Sequence, residues 1–119
     1  MNYMFKDCIS LVSINFTNFK TNKLEQLEET FRGCKDITSI DLTSFETPNL
    51  LKVSNAFYLC TSLKYINFGN FDTSKVITMN GMFSNCKSIE SLNLSNFNTD
   101  SVKYMYQMFD QCNSLTSLD

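Results

Sequence analysis

A 26-residue unit that recurs without insertion or deletion restricts this chain more than any other feature. Phe5/Cys8, Phe31/Cys34, Phe57/Cys60, Phe83/Cys86 and Phe109/Cys112 keep one internal spacing and one interval. Self-similarity at such a period is the mark of a solenoid, in which each unit covers the hydrophobic face of its neighbour. One unit alone cannot bury enough apolar surface to offset the entropy of ordering its backbone, so stacking must complete the core. The units run about 5–30, 31–56, 57–82 and 83–108 with a partial unit 109–119, and 1–119 reads as a single repeat domain. Neither end carries an atypical covering unit, so the expectation is an excerpt of a longer array.

Within each unit the apolar positions follow two spacings. Ile14 and Phe16 alternate with Ser13, Asn15 and Thr17, and Ile40/Leu42, Ile66/Phe68 and Leu92/Leu94 repeat the pattern. Period two predicts one short strand per unit, its apolar side facing the core. Leu24, Leu27 and Phe31, with Leu50/Val53/Phe57, Val76/Met79/Phe83 and Val102/Met105/Phe109, step by three and four. That spacing predicts a short helix over roughly 22–31 and its equivalents. Thr21, Thr47, Thr73 and Thr99 stand where they could cap it, and Pro48 falls at the first helical position. The predicted fold class is therefore α/β: a leucine-rich-repeat-like solenoid with one short parallel β-strand and one short helix per repeat. All eleven Phe fall on inward positions, including Phe16 and Phe68 in the strands.

Little in the chain suggests chemistry. The five Cys sit one per unit at an inward position and not in close pairs, which reads as a ladder of small buried side chains with five free thiols. There is no His, so zinc binding and general-base catalysis lack their commonest residue. With three Gly and no Gly-rich phosphate loop, and with Asp residues scattered over several repeat positions, no catalytic, metal or cofactor site is expected, and the chain reads as a non-enzyme. Ten Lys+Arg against twelve Asp+Glu, thinly spread, argue against nucleic acid as a partner. No run approaches the roughly 18–20 apolar residues of a membrane span, so membrane insertion by this segment is not expected.

Function is then sought on surfaces. The outward strand positions include Ser39, Asp41 and Thr43, then Tyr65 and Asn67, then Ser91, Asn93 and Ser95. They form a small, polar, nearly uncharged face, with Tyr65 its one aromatic anchor, suited to a protein or glycan ligand. On the predicted helix exteriors, Tyr104 and Tyr106 form a second candidate patch on the convex side.

The phrase from Met82 to Val102, with Met82-Phe83, Cys86, Ser88-Ile89, Ser91-Leu92-Asn93-Leu94-Ser95, Phe97 and Thr99, resembles the BspA-like leucine-rich repeat. That family is found in surface proteins of mycoplasmas, Gram-positive bacteria and some anaerobic protists, and the resemblance extends over the whole chain. Departures are modest: Leu27 replaces the Met of the second spacing, Glu25, Glu28 and Glu29 make the first unit acidic, and Ala56 stands where Met82 and Met108 do. The resemblance implies a leucine-rich-repeat-like solenoid and a cell-surface or extracellular, adhesive role. Met1 to Met4 carry neither the basic start nor the apolar middle of a signal peptide, so the location rests on the resemblance alone. The leading expectation is a non-catalytic protein- or glycan-binding repeat module of an adhesin-like protein. The alternatives are an intracellular structural or interaction scaffold, and a substrate-binding repeat appendage of an enzyme.

Overall fold

The computed structural model describes all residues, 1–119. Each 26-residue unit forms one coil of a solenoid, and the coils stack in register. Four short strands mark one side: β1 (Ser39–Asp41), β2 (Tyr65–Asn67), β3 (Ser91–Leu92) and β4 (Ser117–Leu118). β1 pairs with β2 in parallel, Ser39 against Tyr65 and Asp41 against Asn67, and β3 pairs with β4. No ladder joins β2 to β3, so the side consists of two separate two-stranded sheets. A second side is extended only at single residues, where Gln26, Lys52, Thr78 and Tyr104 bridge successive coils in parallel.

The predicted helices do not form, and the α/β expectation is corrected to a solenoid of strands and turns. A helix would require the Phe57 N–H to bond the carbonyl four residues back. Instead it donates across the stack to Met82 O at 3.0 Å, as Asn55 N–H does to Asn80 O and Leu59 N–H to Ser84 O. The N–H groups between them close tight turns inside the coil, Ala56 to Val53 O, Tyr58 to Asn55 O and Cys60 to Phe57 O. Three overlapping turns thus alternate with three inter-coil bonds, which uses every N–H of the segment without a helix. The geometry demands positive φ at two positions per coil: Glu29, Asn55, Gly81 and Gln107 at one, and Gly33, Leu59, Asn85 and Gln111 at the other. Steps of three and four fit this run of turns as well as they fit a helix.

The Thr residues are corrected with it. Thr47 is buried, and its hydroxyl donates to Asp72 O (3.1 Å) while accepting from Asp72 N–H (2.7 Å) in the next coil. Thr73 bonds Asn98 in the same two ways. These hydroxyls fasten one coil to the next and cap no helix. Pro48 follows Thr47 in the turn closed by Leu50 N–H on Thr47 O, where its fixed φ suits the second turn position.

The core is the predicted set of ladders. Phe5, Phe31, Phe57, Phe83 and Phe109 stack with ring centroids 5.5–5.6 Å apart and planes within 11° of parallel. Beside them runs the Cys ladder, whose thiols do more than fill space. Cys34, Cys60, Cys86 and Cys112 each donate from Sγ to the carbonyl of the Phe in the preceding coil, at 3.0–3.1 Å. Burial pushes the Cys34 thiol up to about 11, and pushes Cys60 and Cys86 far above the ordinary thiol range, with neighbouring thiols adding to the effect.

Candidate functional site

The four coil junctions on the strand side are of two kinds. Between the second and third coils the strands are joined: Lys64 N–H donates to Thr38 O, and Leu42 N–H to Asn67 O at 2.8 Å. Between the fourth and fifth, Thr116 N–H donates to Glu90 O and Leu94 N–H to Asp119 O. The corresponding bonds from Glu90 N–H to Lys64 O and from Phe68 N–H to Asn93 O are not made, nor is the bond from Phe16 N–H to Asp41 O. The first–second and third–fourth junctions are therefore open.

The sequence position that alternates with them is the inward strand residue, Phe16, Leu42, Phe68, Leu94. Leu42 is buried in a closed junction. The Phe68 ring lies midway between coils, 6.2 Å from Phe57 of its own coil and 6.2 Å from Phe83 of the next, and edge-on to Phe97 at 4.9 Å. Phe16 repeats this, 6.2 Å from Phe5, 5.9 Å from Phe31 and 5.1 Å from Phe45. A Phe side chain is too large for the layer that holds Leu, so its ring enters the space between layers and spreads the strands above it.

Each open junction carries a depression. At the third–fourth junction it measures about 290 Å³ and is lined by Tyr65, Ile66, Asn67, Phe68, Gly69, Ser91, Asn93, Asn96 and Phe97. At the first–second junction its counterpart, about 240 Å³, is lined by Ile14, Asn15, Phe16, Thr17, Asp41, Thr43 and Ser44. Of the residues predicted from sequence, the larger depression gathers Tyr65, Asn67, Ser91 and Asn93, and the smaller one Asp41 and Thr43. Ser39 lies outside both, in register with Tyr65 across a closed junction, and Ser95 is turned to Asn93. Asn15, Thr17 and Gly69, read from sequence as outward strand positions, also line the depressions, while sequence reasoning missed Ser44, Phe68 and Asn96; the signal that could have found Phe68 is the alternation of Phe and Leu.

Part of the polar row is committed to the fold. Asp41 Oδ1 accepts from Thr43 N–H (2.9 Å), Asn67 Oδ1 from Gly69 N–H (3.2 Å) and Asn93 Oδ1 from Ser95 N–H (3.0 Å). These are Asx-turns that end the strands. The Thr43 N–H is also what holds the Asp41 carboxyl below its usual range. Among the row residues lining the larger depression, the amide Nδ2 groups of Asn67 and Asn93, the Tyr65 hydroxyl and Ser91 Oγ are free of intramolecular partners. Tyr65 is 58% exposed. Gly69 has φ of 52°, and a Cβ there would lie 2.9 Å from Thr43 Cα, so the approach of the two coils at this turn requires Gly.

Tyr104 and Tyr106 are not on a helix exterior. Tyr104 sits in the row of bridged residues after Thr78, its ring 6.3 Å from that of Tyr106, and Tyr106 N–H donates to Asn80 Oδ1. Tyr106 borders a wider polar depression on the turn side with Arg32, Tyr58 and Asp110. The strand face and this patch are separate surfaces.

Coils of 26 residues stacked in register over shared inward ladders define a repeat solenoid. Comparison with known proteins agrees: the chain resembles a leucine-rich repeat protein from Bacteroides ovatus, of solved crystal structure, with a TM-score of 0.54 and 21% identity over 99% of this chain. The chain spans 33% of that protein's length. A family profile described as "Mycoplasma protein of unknown function, DUF285" matches residues 1–65 and 25–118, and the chain belongs to that family. No curated protein matches it.

Proposed function

We propose that this chain is a non-catalytic binding module whose ligand, a protein or a glycan, lies on the strand face, and that it acts at the cell surface or outside the cell. The observation that carries the reading is the convergence of Tyr65, Asn67, Ser91 and Asn93 on one depression at an open junction. An exposed aromatic ring beside unengaged amide and hydroxyl groups is the composition of a recognition surface. The family resemblance supports the surface location.

The test is a panel of immobilised extracellular-matrix proteins and glycans probed with the wild-type chain, Tyr65→Ala and Asn67→Asp. The second variant keeps the Oδ acceptor for Gly69 N–H and replaces the free Nδ2 donor with a charged acceptor oxygen. Each ligand found is expected to bind both variants at least about tenfold more weakly, a change of about 1.4 kcal/mol. Unchanged affinity for every ligand found would show that the strand face is not the binding surface.

A further inference from the structure

The open junctions recur at every second coil, and this spacing selects among ligand classes. Successive coils are about 4.8 Å apart where their strands pair, so the two depressions, two coils apart with an unpaired gap at each, lie somewhat more than about 9.6 Å apart along the solenoid axis. We propose that they bind a neutral, linear, hydroxyl-rich polysaccharide lying along that axis, one sugar at each open junction and the intervening sugar crossing the closed one. The proposal rests on the strand face being the binding surface, and names its ligand.

Three observations favour this class. First, none of the nine residues lining the larger depression is charged, and the flanking Lys64 and Glu90 carry opposite signs, so no net charge selects a phosphate, a sulfate or an acidic or basic peptide. The smaller depression has Asp41, one of whose oxygens is already held by Thr43 N–H. Second, the opening leaves donors and acceptors side by side: Phe68 and Glu90 N–H, and Lys64 and Asn93 C=O, have no backbone partner. A hydroxyl both donates and accepts, so a sugar can satisfy such a mixed edge, while the exposed Tyr65 ring offers an apolar platform for the C–H face of a sugar.

Third, the period fits. In an extended β-linked polysaccharide every second sugar presents the same face, one disaccharide per two coils. An extended peptide repeats at about 6.7 Å and falls out of register. A polyproline II peptide repeats at about 9.3 Å and would stay in register. It docks, however, on grooves lined by aromatic side chains. Tyr65 has Ser13 as its counterpart at the other open junction, where a ligand must be held by hydrogen bonds alone; a sugar hydroxyl can donate and accept there, whereas a proline has no N–H to donate.

The test titrates chain 1–119 with cellohexaose, chitohexaose, their disaccharides and a proline-rich peptide, by calorimetry and amide chemical shifts. At least one hexasaccharide is expected to bind, and its disaccharide at least about tenfold more weakly, because only a chain of three or more sugars engages both junctions. Phe68→Leu, which installs the side chain that coils two and four already carry there, should weaken hexasaccharide binding at least about tenfold. If that variant fails to fold, Tyr65→Ala, at an exposed position, should show the same loss. The proposal is overturned if neither hexasaccharide binds, if length makes no difference, if neither substitution weakens binding, or if the peptide binds more tightly than both sugars. Should the sugars fail while some other ligand loses affinity on Tyr65→Ala, the ligand class is wrong and the strand-face reading survives. Should no Tyr65-sensitive ligand exist at all, both fall.

Discussion

The second–third and third–fourth junctions of this solenoid can be compared almost residue for residue. On the turn side they are alike: the Phe31–Phe57 and Phe57–Phe83 rings stack at 5.5 and 5.6 Å, and the Cys60 and Cys86 thiols reach the preceding coil at 3.0 and 3.1 Å. On the strand side they differ: the first carries a parallel ladder and the second a depression. Among the inward strand positions the difference is Leu42 against Phe68, since Ile40 and Ile66 are the same. A uniform core can therefore hold coils at one spacing while a single inward side chain decides whether the surface above it is sealed or open. The part of the repeat that makes the scaffold and the part that makes a site are then separable, and substitutions can separate them.

The largest effect is expected in the shared core. Phe31→Ala and Phe57→Ala should each cost about 3–5 kcal/mol in denaturant unfolding. The two costs should agree within about 1 kcal/mol, because each ring faces one open and one closed junction; a larger gap would mean that the opening reaches the turn side. Next comes Leu42→Phe, which should split β1 from β2 and cost about 1–3 kcal/mol by overpacking. Retention of the β1–β2 ladder in that variant, seen by amide exchange, would remove ring size as the cause of opening.

Alkaline pH probes the thiol ladder across both kinds of junction. The folded state holds the Cys60 and Cys86 protons to a pH well above the ordinary thiol value of 9.0, whereas the unfolded chain releases them near it. Their contribution is thus fully present below about pH 9 and is lost as pH rises beyond it, by about 1.4 kcal/mol per pH unit per thiol. Cys60→Ala and Cys86→Ala should each flatten that decline by a similar amount in urea midpoints measured between pH 8 and pH 10.5. Unequal slopes would show that the open junction admits solvent to the core.

The smallest effect is at Leu59, where a bulky side chain is held at φ of 61° and its N–H crosses the open junction to Ser84 O. Asn85 and Gly33 occupy the same repeat position, and left-handed backbone is costly for Leu. Leu59→Asn should stabilise the chain by about 0.5–1 kcal/mol and raise its melting temperature. A lower melting temperature would mean that the Leu59 side chain contributes more through packing than its backbone strain takes away.

Much of this was legible from residue order. The 26-residue period, the inward ladders of Phe, Cys, Leu and Ile, and the strands at Ile40, Ile66 and Leu92 follow from spacing, because stacking places equivalent residues over one another. The helices did not follow, since Leu50, Val53 and Phe57 mark an inward stripe under either a helix or a run of turns. The better signal was chemical: Gly33, Asn55, Gly81 and Asn85 are residues that tolerate positive φ, and they recur at the two places where the turns require it. Thr47 and Thr73 look like helix caps in isolation and become inter-coil fasteners only when a second coil lies beneath them. At the candidate site, the polar row was visible, but its acceptor oxygens proved to be tied into Asx-turns. The alternation of Phe16, Leu42, Phe68 and Leu94 was in plain view, and its consequence appears only when the size of each ring is set against the layer it must occupy.

The alternation itself is tested most directly by amide hydrogen exchange in the wild-type chain and in Phe68→Leu. Leu42 N–H, which donates to Asn67 O, is expected to exchange at least about a hundredfold more slowly than Phe68 N–H, which has no partner across its junction. In Phe68→Leu the amide at position 68 should become protected to the level of Leu42 as β2 and β3 join. Equal protection of the two amides in the wild-type chain, or no gain at position 68 in the variant, would contradict the account.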